Sequence, residues 1–111
     1  MPPEKTSNLI DLASEENGGR ALLASDEFFA LKENLLRPGR GEFIPDKYTD
    51  CGKWMDGWET RRRRSEGHDW CIVRLGTPGL IKEINIDTNH FVGNYPTHAS
   101  VDACQVPPFT P

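Results

Sequence analysis

Apolar and polar side chains alternate most regularly over Trp70–Leu75 and over Leu80–Thr88. In the first stretch Cys71, Val73 and Leu75 share one face. In the second, Ile84 and Ile86 lie opposite Glu83, Asn85 and Asp87, the two-residue period of a β-strand. Gly76-Thr77-Pro78-Gly79 between them consists of turn formers, so the pattern predicts a β-hairpin. Its first arm is apolar on both faces, which predicts a central strand.

Upstream, Leu9, Leu12 and Ala13 have the three-and-four spacing of a short helix over Asn8–Glu16, stopped by Gly18-Gly19. Ala21-Leu22-Leu23-Ala24 is a brief apolar run between turn formers, as expected of a buried strand. Ser25-Asp26-Glu27 pairs an N-cap residue type with two acids that suit the positive end of a helix dipole, and predicts a second helix start. Phe43–Glu59 keeps no period and reads as a structured loop, interrupted by Pro45, Gly52 and Gly57. His98–Cys104 predicts a last strand with Val101 on its buried side. Residues 105–111, with three prolines, cannot continue as a central strand. Residues 1–7 read as a flexible tail, and residues 8–104 as one structural unit without repeats.

Composition narrows the class. Nine prolines and ten glycines in 111 residues favour a turn-rich β fold over a helical bundle. A net charge of -4 argues against nucleic acid or a membrane surface as partner, since both demand a basic face. No apolar run approaches the ~20 residues of a membrane span, and the N-terminus lacks a signal-peptide pattern. The expectation is an intracellular, cytoplasmic protein, with a peroxisomal location left open. Cys51, Cys71 and Cys104 are odd in number and widely spaced, which reads as reduced thiols, with Cys71 as a small core residue.

The chemistry is concentrated in Asp50–Arg64 and Gly67–Trp70, which hold four carboxylates, five cations, three tryptophans and a histidine. Such a mixture serves small polar substrates: arginine forks grip a carboxylate, carboxylates accept from N–H groups, and tryptophans exclude water. A solvated face remains the plainer reading of the arginine run, and nucleic-acid binding a third. Asp56 and Glu59 stand between or beside Trp54 and Trp58, apolar rings of the kind that suit a carboxyl to general-acid work. His68 precedes a predicted strand beside Asp69, where it is a general base, a metal ligand or a hydrogen-bonded structural residue. His68, His90 and His98 match no zinc spacing. No cofactor is expected, and a divalent metal is left open.

The strings Pro45–Asp50, Gly52–Arg62, Gly67–Gly76, Asp87-Thr88, Phe91 and Gly93–Pro96 resemble allantoicase. Asp11–Ser14, Gly18-Gly19, Ala24–Ala30 and Glu33–Leu36 are similar too, so the likeness runs from Asn8 to Ala103. The resemblance implies an all-β, jelly-roll, discoidin-like (galactose-binding-like) β-sandwich with one or two short N-terminal helices. It further implies hydrolysis of allantoate to ureidoglycolate and urea, by a homo-oligomer of two-repeat chains. That substrate carries one carboxylate and two ureido groups, so its site needs a cation, acceptors and a proton donor. On these demands Arg61 or Arg62 holds the carboxylate and Asp56 or Glu59 handles protons. Lys53, His68 and Asn94 then orient the ureido oxygens or the attacking water. Because the likeness fades after Ala103, where the family continues into further strands and a second repeat, the expectation is an incomplete sandwich. The alternatives are a non-catalytic module that binds a ligand or subunit, and an inactive truncated isoform.

Overall fold

The computed structural model describes residues 9–39, 41, 43–93 and 95–107. Strand β1 (Arg20–Ala24) is the apolar run bounded by turn formers, and it pairs antiparallel with a strand nearly fifty residues later, Cys71–Arg74. Between them the chain forms a two-residue-per-arm hairpin, β2 (Tyr48–Thr49) with β3 (Gly52–Lys53); Cys71–Arg74 is thus β4. In the β1/β4 ladder Ala21 faces Val73 and Ala24 faces Cys71, with a bulge between Ala21 and Leu23. The Ser25 N–H extends the pairing by one step, donating to the Trp70 carbonyl at 2.9 Å.

The predicted hairpin is therefore corrected. β4 takes its ladder partner from β1, and residues 80–88 carry no strand. Alternation identifies which face of a strand is apolar; it does not identify the neighbour. Along 80–106 the side chains of Leu80, Ile84, Ile86, Val92 and Val101 are exposed, and the strand expected over His98–Cys104 is absent among the described residues. β4 is likewise not central, since Ile72 is exposed on the face that would need a second cover.

Both predicted helices shrink to 3-10 turns, Glu15–Asn17 and Lys32–Leu36. Side chains compete for the backbone in each case. The Asp11 carboxylate accepts from the Ala13 N–H at 3.2 Å and its carbonyl from Asn17 Nδ2 at 2.9 Å, which curls the chain before a helix can run. Gly18, at φ 90°, then ends the turn as the glycine pair predicts. Glu27 similarly accepts from the Lys32 N–H at 3.0 Å.

The regular structure is thus β with 3-10 turns, arranged among the described residues as two two-stranded sheets, β1 with β4 and β2 with β3. Its buried large apolar residues among those described are Leu36 and Met55. The accessible surface is 9441 Å², against about 6,200 Å² for a folded monomer of this mass. The three cysteines are free, and Cys71 is only half-buried, although burial still pushes its thiol above the ordinary range. No helix among the described residues is long and apolar enough to cross a membrane.

Candidate functional site

Two segments far apart in sequence are tied together beside the β1/β4 sheet. Phe29 and Ala30 donate to the Glu59 carbonyl at 3.2 and 3.1 Å, and the Glu59 N–H returns a bond to the Ala30 carbonyl at 3.2 Å. From the residue before Glu59 the Trp58 indole Nε1–H donates to the Asp26 carbonyl at 2.7 Å.

The Asp26 carboxylate is the hub of this junction. Oδ1 accepts from the Phe28 N–H at 2.8 Å and the Arg61 N–H at 3.1 Å, while Oδ2 accepts from Arg61 Nε at 2.7 Å. The guanidinium also lies 5.4 Å from the Phe28 ring centroid. The Phe28 N–H above all, and then Arg61, hold the Asp26 carboxyl below its usual range despite opposing desolvation. Glu27 is held low in the same way, chiefly by the Lys32 N–H and then by its ammonium.

A depressed folded-state pKa means stability that is fully present above the unfolded value and is lost as pH falls through the folded one. The chain should therefore lose stability on acidification below the ordinary carboxyl range, and D26N should flatten that dependence. Urea melts of both proteins across pH 2–6 check this, and parallel pH profiles would refute it.

A second node forms at Asp69. Ser25 Oγ donates to Asp69 Oδ1 at 3.0 Å while accepting the Trp70 N–H at 3.0 Å, and Thr60 Oγ1 donates to Oδ2 at 3.3 Å. Arg63 Nη2 stands 3.7 Å from Oδ1. Between the nodes lies an open cleft of about 390 Å³, lined by Ser25, Asp26, Ser65, Asp69 and the four arginines 61–64. Four cations against two carboxylates make it a place for an anion.

Of the residues singled out from sequence, Arg61 and Arg62 line this cleft. The others stand elsewhere. The Asp56 side chain is 9% exposed and lies 3.9 Å from Arg37 Nη1. Glu59 is half-buried at its bridge with Ala30, and His68 is exposed beside Asp69. Lys53 sits on β3 with its ammonium 4.4 Å from the Phe43 ring centroid, whose ring in turn stacks on His90. Asn94 lies outside the described residues.

Sequence reasoning passed over Ser25, Asp26 and Asp69 as site residues. The signal that could have found them is the arginine run itself. Four adjacent cations repel one another unless carboxylates stand within reach, and Asp26 and Asp69 adjoin the ends of β1 and β4. Among the described residues, no three of His, Cys, Asp and Glu cluster so as to hold a metal ion.

A protein-family model described as "Allantoicase repeat" matches residues 10–110. "Probable allantoicase 1" of Burkholderia mallei is 55% identical over 109 residues, which is 98% of this chain and 32% of the relative. The probable allantoicase of Ralstonia nicotianae is 53% identical over 105 residues, 95% of this chain and 31% of the relative. A solved allantoicase from Saccharomyces cerevisiae aligns over 61% of this chain and 19% of its own, with 45% identity and a TM-score of 0.49. The chain spans about a third of the length of the curated relatives it matches.

Proposed function

Since the chain belongs to the allantoicase family, we propose that it carries the substrate-carboxylate part of an allantoate-hydrolysing site, which yields ureidoglycolate and urea. The observation that supports this most is the cleft in which Arg61 and Arg62 stand together, with Arg61 braced by Asp26.

In the proposed reaction, water adds its oxygen to the carbon that loses a ureido group, and a proton goes to the departing nitrogen. The substrate carboxylate is an anion that an arginine fork matches in two places. Arg61 and Arg62 take it. Asp69, whose arginine neighbour stands at 3.7 Å, accepts from ureido N–H groups. Asp56 or Glu59 is the proposed proton carrier, and Lys53, His68 and Asn94 orient ureido oxygens or the attacking water.

One observation favours a second reading. None of Asp56, Glu59 and His68 lines the cleft, as would hold for a module that binds the anion without turning it over. Urea release from allantoate by the purified chain separates the two. Steady release above the buffer blank is expected of the hydrolase, whereas allantoate binding without urea would leave only the binding module.

A further inference from the structure

Exposed arginines are conformationally free, and a ligand must restrain them when it binds. Arg61 differs from its neighbours in this respect. Its Nε–H is already committed to Asp26 Oδ2 at 2.7 Å, and its guanidinium lies over the Phe28 ring. Asp26 cannot rotate to follow it, because Oδ1 is held by the Phe28 and Arg61 N–H groups at 2.8 and 3.1 Å. The Trp58 indole pins the carbonyl of the same residue. The anchor is largely sequestered, with 14% of the Asp26 side chain exposed, while 66% of the Arg61 side chain remains open. An arginine offers five N–H donors, and a bond through Nε leaves those of Nη1 and Nη2. Arg63 is more loosely paired, at 3.7 Å from Asp69.

We propose that Asp26 is the positioning residue for Arg61, holding its guanidinium by Nε so that Nη1 and Nη2 form a preset fork for a carboxylate in the cleft. This rests on the carboxylate reading above. Asp26 touches no substrate in this arrangement. It acts through Arg61, and its effect is selective for the charged end of the ligand.

The test is calorimetric titration of the chain, D26N and R61A with allantoate and with its uncharged methyl ester. The asparagine of D26N keeps an Oδ1 acceptor for the two N–H groups and sets an Nδ2 donor, which cannot accept, against the Nε–H that Oδ2 held. D26N should weaken allantoate binding about tenfold and change ester binding by less than about twofold, a split that general loosening of the fold would not produce. If D26N binds allantoate as the parent does while R61A loses it, positioning is overturned and the carboxylate reading stands. Unchanged binding by R61A, or no binding by the parent chain, overturns both. Should D26N be unfolded by its amide spectrum, R61K carries the test. Lysine has no Nε–H to share between anchor and ligand, so a comparable loss is expected, and parent-like affinity would overturn the proposal.

Discussion

Gly76→Ala is expected to remove a large share of the chain's stability, while Gly79→Ala three residues on is expected to be tolerated. The Gly76 N–H donates to the Leu12 carbonyl at 2.9 Å, and Gly18 approaches its Cα so closely that a Cβ there would stand at 3.4 Å. This seam fastens the N-terminal loop to the end of β4. A Cβ on Gly76 would overlap the Asn17 carbonyl oxygen, and also reach Asn17 C at 2.8 Å and Gly18 C at 3.0 Å. All three are backbone atoms, so no rotamer change relieves them. A Cβ on Gly79 meets only Leu12 Cδ1 at 2.9 Å, the far end of a side chain that can turn away. The first substitution should cost on the order of 4 kcal/mol and the second about 1 kcal/mol or less. Domains of this size hold about 5–15 kcal/mol in all. Leu36 and Met55 are the buried large apolar residues described, so little other apolar burial stands by to offset a loss of that size. Urea melts followed by circular dichroism measure the difference, and equal midpoints for the two variants would sink the argument.

That seam also shows what was legible in the sequence and what was not. Gly18-Gly19 announced a stop, and the local chemistry of αL glycine suffices to explain it. That Gly76 must be glycine is invisible locally, because the atom in the way belongs to a residue far upstream. The strands behave alike. Arg20–Ala24 and Cys71–Arg74 were both legible from apolar runs, yet their pairing was not, since a period of two carries no address. In the cleft, Arg61 and Arg62 were legible as charge. Asp26 and Asp69 were read as a helix-end acid and a neighbour of His68, because their partners lie 35 and 44 positions away. The apolar alternation along 80–106 was legible too, but its side chains stand exposed, so burial could not turn pattern into sheet.

The same distinction between charge and placement predicts that the two arginines read alike from sequence are unequal in function. Arg61→Ala should weaken allantoate binding far more than Arg62→Ala. Arg61 is backed by a carboxylate at 2.7 Å and lies 5.4 Å from the Phe28 ring centroid, so its donors are in place before the ligand arrives. Arg62 lines the same cleft as an exposed side chain and must be ordered by the ligand itself. Losing hydrogen bonds from a charged, pre-placed donor costs about 1.5–3 kcal/mol, roughly 10- to 150-fold in Kd. Losing a flexible surface cation costs about 1 kcal/mol or less, under about tenfold. Removing Arg61 also strips Asp26 of its charge partner and leaves a carboxylate facing the incoming anion, which adds repulsion to the lost bonds. Raising the salt concentration should therefore narrow the gap between the variants, because screening weakens that repulsion. Titration of both variants with allantoate at two ionic strengths gives the comparison. An Arg62→Ala loss equal to or larger than that of Arg61→Ala would mean that the fork is built on the other arginine.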